Sequence, residues 1–187
     1  SGWLTPDRIF TTPECQKRYD AVKISLLTPK VALIPEQFFN PMELRQMLGD
    51  VVRLGENDAV EFVRMPERAS VLVFSNNVGE TLSRMISQTV FTTDGYQARI
   101  LPEMYYILEA LDKCSDYNKI VASYADGYLH LAVAQGKSLQ IANTFRAVDF
   151  TTAEYFIFNT LKKLQLNPEI STICFRTPVS DEEEMSL

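Results

Sequence analysis

The residues best suited to chemistry crowd into one stretch, "ADGYLHLAVAQGKS", residues 125–138. Asp126-Gly127 is a pair that can sit against a phosphate, and Gly136-Lys137-Ser138 is the tail end of a nucleotide-binding loop. Such a loop needs Gly, four residues, Gly-Lys-Ser/Thr, and then a helix whose first amides face the phosphates. Counting back from Gly136, the first glycine falls on position 131, which is Leu131, and the run after Ser138 is the strand-like "LQIANTF". Gly136-Lys137-Ser138 is therefore expected to be a hairpin turn. His130, the sole histidine, could serve as a general base or partner a nucleophile. No GxSxG is present and no cysteine is near it in sequence, so a half-buried strand histidine on the face of Tyr128 and Ala132 is expected. Asn143 either bonds backbone at a strand bulge or lines a cleft, and the structural role is favoured.

The rest of the composition narrows the field. The 187 residues carry 18 Lys plus Arg against 24 Asp plus Glu, a net charge of -6. An acidic chain repels phosphate backbones, so nucleic-acid binding is disfavoured as a main function. No apolar run approaches the ~20 residues of a membrane span. Cys15, Cys114 and Cys174 are odd in number, far apart and form no CxxC, which points to reduced thiols and a cytoplasmic protein. One histidine and scattered cysteines do not make a zinc site. The run Asp181-Glu182-Glu183-Glu184 is explained by a helix N-terminus, where Ser180 and Glu183 form a capping box, rather than by a metal. Neither catalytic residues nor metal ligands are expected.

These residues must be positioned by alternating strands and helices. Strands are predicted over 21–27, 30–35, 58–65, 69–75 and 89–93, with an Asp94-Gly95 turn after the last. Asn40-Pro41-Met42-Glu43 starts a helix running to about Leu48. Asn77 with Glu80 opens another over 78–87. Pro102 opens a third through about Lys113, with Met104, Ile107, Leu108 and Leu111 at helical spacing. "CSDYN" (114–118) is the expected boundary between two lobes. Beyond it, strands over 118–125, 128–134 and 138–148 are joined by Asp126-Gly127 and Gln135-Gly136-Lys137, both hairpin signals. Thr151-Thr152-Ala153-Glu154 is a capping box for a helix with Tyr155, Phe158, Leu161 and, one turn on, Lys162 and Leu164, and Asn167-Pro168 stops it. A buried-looking strand over 170–175 completes the order β-β-β-α-β, and this last strand should run parallel to the first. The aromatic cluster Tyr155, Phe156 and Phe158 is expected to pack rather than to stack on bases.

That order, with an Asp-Gly turn between its first two strands, resembles the start of each lobe in the actin-like (ASKHA, ribonuclease-H-like) fold. Further, Thr28-Pro29 with Leu33-Ile34-Pro35 and Phe39, then Leu139, Asn143, Phe145 and Tyr155, are similar to two segments of an uncharacterised Bacteroidetes family, domain of unknown function three-eight-two-two. The resemblance runs from about Asp20 to the end. It implies an α/β protein with mixed sheets flanked by helices: residues 1–114 a first lobe lacking its N-terminal strands, 115–187 a second lobe cut short. A start at Ser1-Gly2, the scar of a cleaved tag, fits the expectation of a fragment. The resemblance also implies that the Asp126-Gly127 turn is where active members of the fold hold phosphate. Here Tyr128 replaces their hydroxyl residue, no lysine is adjacent, and Lys137 should lie about 20 Å away at the other end of a strand. The expectation is a non-enzymatic module that binds another protein, with no cofactor and a degenerate nucleotide site whose remnants are Asp126 and Gly127. The alternatives are a relative that binds or hydrolyses ATP with magnesium, and a membrane-associated assembly adaptor.

Overall fold

The computed structural model describes residues 23–77 and 99–177. The predicted helix over 78–87, the strand over 89–93, the Asp94-Gly95 turn, the Ser180 capping box, the acidic run 181–184 and Cys15 lie outside them.

Three sheets form. β1 (Lys23–Leu26) pairs in parallel with β5 (Arg99–Pro102). β2 (Val31–Pro35), β3 (Ala59–Met65) and β4 (Ser70–Asn76) make an antiparallel sheet of order β2-β4-β3. β6 (Asn118–Ala125), β7 (Tyr128–Gln135), β8 (Ser138–Arg146) and β9 (Thr172–Phe175) make a sheet of order β8-β7-β6-β9. In it β9 runs parallel to β6, and the other neighbours are antiparallel. This is the predicted β-β-β-α-β unit, the helix being α3 (Phe150–Lys163).

Helices separate the sheets. α2 (Glu103–Lys113) carries Met104, Ile107, Leu108 and Leu111 at the spacing read from sequence, all four at most 1% exposed. They share one core with Val63, Met65, Leu72 and Phe74 of the three-stranded sheet, and with Val121, Ala132 and Ala134 of the four-stranded one. That core therefore crosses residue 115. α3 covers the far face of the four-stranded sheet, where Ala153, Ile157 and Leu161 meet Ile120, Leu129, Leu131 and Val133. α1 (Leu44–Gly49) covers the far face of the three-stranded sheet, with Leu48 buried against Val71 and Val73. It follows a 3-10 turn, Pro41–Glu43, whose first amides are served by Asn40, so the predicted helix start holds but its first turn is tighter than α.

Three local expectations are corrected. α3 is capped two residues before Thr151: Asp149 is its N-cap, its carboxylate accepting from the Thr152 amide at 2.7 Å and from the Thr152 hydroxyl at 2.6 Å. A carboxylate is the stronger acceptor and also meets the positive end of the helix, so it wins over the threonine hydroxyl. The buried face is consequently Ala153, Ile157, Thr160 and Leu161, and Tyr155 is exposed. The helix ends before Asn167-Pro168, in a Schellman motif with Gln165 at φ 56°. The Leu166 amide donates to Leu161 O and the Gln165 amide to Lys162 O, while Leu166 packs in the core beside Leu161. Finally, β9 is half-exposed rather than buried, and among the described residues only one side of it has a neighbour.

Candidate functional site

The two turns flanking β7 hold most of the residues singled out for chemistry. Asp126 (φ 53°) and Gly127 (φ 73°) are the central pair of a two-residue hairpin, both left-handed as a type I′ turn requires. Asp126 is exposed, and Gly127 O accepts the Ala147 amide at 2.8 Å. Tyr128 follows directly and pairs across the sheet with Arg146. The turn thus has a cation as a close neighbour, supplied by the next strand rather than by the next residue, which the linear reading could not see. At the other end of β7, Gly136 (φ 56°) and Lys137 make the second hairpin, and β8 begins at Ser138. β7 is eight residues long, so the two turns stand roughly 25 Å apart at ~3.3 Å per residue. Lys137 and Asp126 do not meet.

His130 is fully buried, not half-buried, on the face of β7 that meets α2. It lies in a polar row across three strands, opposite Ser123 on one side and Thr144 on the other. Its Nδ1 is 3.1 Å from the Thr144 hydroxyl oxygen. His130 Nε2 and the Ser123 hydroxyl have no hydrogen-bond partner among the described residues. Burial lowers the imidazole pKa from 6.5 to about 4, with the Glu103 carboxylate working weakly the other way. The ring is therefore neutral near pH 7. His130 and Ser123 are both sealed from solvent, and Thr144 is partly buried.

Beside that row lies a cluster that sequence reasoning missed. Glu103, the first residue of α2, is 4% exposed. It accepts from Arg176 Nε at 2.8 Å and from the Ser25 hydroxyl. Arg176 follows β9, donates its amide to Ala122 O, and sits 5.4 Å over the Tyr106 ring. Tyr106 donates its hydroxyl to Ile24 O at 3.3 Å, and its pKa is raised, first by burial and then by the nearby Tyr105, Glu109 and Glu103. One carboxylate thus ties β1 to the end of β9, residues 25 and 176. The partners are 78 and 73 positions from Glu103, so no local motif signals them.

Asn143 is exposed and its side chain accepts from the Thr144 amide at 2.8 Å, a backbone role and not a cleft-lining one. The bulge lies elsewhere: Ala134 pairs with Leu139 and Val133 with Ile141, so Gln140 is the extra residue. The alternation therefore breaks, placing Leu139 in the α2 core and Ile141 in the α3 core. Phe145 stacks on Phe156 with centroids 4.8 Å apart, so this part of the aromatic cluster packs within the protein. Cys114 and Cys174 are free thiols, and the described residues contain no cluster of three or more His, Cys, Asp or Glu able to hold a metal. No helix among them is long and apolar enough to cross a membrane.

The arrangement has a solved counterpart. A protein of Bacteroides thetaiotaomicron VPI-5482, described as having an actin-like ATPase fold and unknown function, is similar with a TM-score of 0.71 and 16% identity, over 96% of this chain and 68% of that one. At that identity the likeness carries the fold alone: this is an α/β protein of actin-like ATPase fold. No curated protein matches. The family model described as "Protein of unknown function (DUF3822)" matches residues 6–185, and the chain belongs to that family.

Proposed function

We propose that this chain is a protein-binding module, not an enzyme, built on an actin-like fold with a degenerate nucleotide turn. The observation that carries the reading is a set of exposed aromatic and methionine side chains on the turns after β2 and on β3, a strand that has a neighbour on one side only among the described residues. Phe38 is 67% exposed and Met42 89%, and both lie on the 3-10 turns after β2. Phe62 of β3 is partly exposed, with its ring 5.0 Å from Phe39, and the Arg64 guanidinium lies over both rings. Aromatic residues, Met and Arg are the types enriched in interface cores. An edge strand adds main-chain donors and acceptors for an extended segment of a partner. Free thiols at Cys114 and Cys174 support a reducing, cytoplasmic setting.

A photo-crosslinking residue at Phe38, compared in living cells with one at the distant exposed Tyr155, tests this. A discrete adduct from position 38 that disappears when Phe62→Glu is added supports the reading. Equal labelling from both positions, or an adduct indifferent to Phe62→Glu, refutes it. Arg146, across from Tyr128, favours one second reading, retained nucleotide binding at Asp126-Gly127. Calorimetry with ATP and magnesium decides it: binding abolished by both Asp126→Asn and Arg146→Ala would establish a working phosphate turn.

A further inference from the structure

At the end of the four-stranded sheet away from Asp126, a groove of about 670 Å³ opens between the β3–β4 connection and the β7–β8 hairpin. Its volume is within the usual range for small-molecule sites. Three cations line it: Arg68, Lys119 and Lys137. Lys119 is 91% buried by residue, since only 9% of it is exposed. Its ammonium donates to the Cys114 carbonyl at 2.9 Å, and it has no carboxylate within ion-pair distance among the described residues. An ammonium at the wall of a groove, with a carbonyl as its sole described partner, has charge and N–H groups left for a ligand to meet. The Arg68 side chain is 9% exposed. Its Nη2 donates to Asp112 at 2.6 Å while its Nε has no partner among the described residues.

The groove is also shaped. Ala69, beside Arg68, is held at φ 45°, a left-handed conformation that costs a non-glycine residue energy and tends to be retained at sites. The bulge at Gln140 turns Leu139 to the side where, with Leu33, it gives the groove an apolar wall. Against the three cations stand Asp112, already engaged by Arg68, and Glu67, which is exposed.

We propose that this groove binds a small organic anion, its phosphate or carboxylate head held by Lys119, Arg68 and Lys137 and its apolar body laid on Leu33 and Leu139. Lys119 and Arg68 each keep one anchoring contact that aims them and have further N–H groups for the ligand, while Lys137 comes from the exposed turn of the β7–β8 hairpin. Its lining shares no residue with the docking surface or with the Asp126 turn.

The test is calorimetric titration of the whole chain with phenyl phosphate, benzoate, inorganic phosphate and benzyl alcohol. The expected result is a Kd at or below about 1 mM for phenyl phosphate or benzoate, with the bare ion and the neutral alcohol at least about tenfold weaker. The tighter of the two aromatic anions identifies the head group. Lys119→Met should weaken binding about tenfold or more, and Lys137→Glu, a change in an exposed turn that leaves the core alone, should weaken it in the same direction. If Lys119→Met does not fold, Lys137→Glu alone decides. No binding of either anion, equal binding of benzyl alcohol, or affinity unchanged in the variants overturns the site and leaves Lys119 as a cap on the end of α2.

Discussion

His130 should make this protein acid-sensitive in a window set by one buried ring. Its folded pKa is about 4 against an ordinary 6.5. For a base whose folded value is depressed, the folded state refuses the proton that the unfolded chain accepts. Stability is therefore fully present above pH 6.5 and declines as pH falls toward 4, where the folded ring also titrates. At ~1.36 kcal/mol per pH unit the whole gap amounts to about 3 kcal/mol, and at pH 5 about 2 kcal/mol of it has been lost. The ring is fully buried, so solvent does not screen this term away. It is also separated from the next large titration: Asp58, held to about 2 by hydrogen bonds from Lys30, Ser75 and the Gly55 amide, loses its contribution only below its ordinary 3.8. The assay is urea unfolding at about pH 7, 6 and 5 for the natural chain and for His130→Asn, which keeps an acceptor for Thr144. The variant is expected to be less stable at pH 7 yet to lose about 2 kcal/mol less between pH 7 and 5. Parallel pH dependences in the two chains would show that other groups govern acid stability and that the burial argument is wrong.

Other substitutions test the frame around the sites. Asp58→Ala removes a carboxylate that accepts from Lys30 and the Ser75 hydroxyl, each at 2.5 Å, and from the Gly55 amide at 2.6 Å; chemical denaturation should show a loss of about 2–3 kcal/mol. Glu103→Ala strands Arg176 and Ser25, and because Arg176 is 34% exposed and can turn to water, the loss should be about 2 kcal/mol, below that for a wholly buried pair; a change under about 0.5 kcal/mol would refute the tie. Gly127→Val forces a β-branched residue to φ 73° and should cost more than about 1 kcal/mol by thermal melting. Asp126→Gly relieves a non-glycine residue at φ 53° and should not destabilise, whereas Asp126→Ala should cost up to about 1 kcal/mol because alanine tolerates that conformation less well than aspartate.

What could be read from sequence and what could not divide along sequence separation. The hairpins at Asp126-Gly127 and Gly136-Lys137, the α2 face through Met104, Ile107, Leu108 and Leu111, and the order of the last five elements each rest on residues within a few positions of one another, and each stands in the structure. Local reading failed where two nearby signals competed, as when Asp149 outbid Thr151 for the cap. A local pattern also does not announce the bulge, where one extra residue, Gln140, reverses the strand's alternation and sends Leu139 and Ile141 into different cores. Neither matters to the fold, because the hydrophobic pattern on both sides of the bulge is apolar enough to fill either core.

The functional features were the least legible, and for a physical reason. Glu103 with Arg176, Arg68 with Asp112 and Lys30 with Asp58 join residues 73, 44 and 28 positions apart. In sequence each of these is an ordinary surface charge. Burial alone turns them into something specific: once α2 is seated between two sheets, a charge near either of its ends must find a partner or remain uncompensated. At the start of α2, Glu103 finds Arg176 and Ser25, and the result is a tie. Past its end, Lys119 finds the carbonyl of Cys114 and, among the described residues, no carboxylate, and it lines the groove proposed to take an anion. The same helix therefore accounts for both, and the contrast between its two ends is what distinguishes a structural charge from a candidate ligand-binding one.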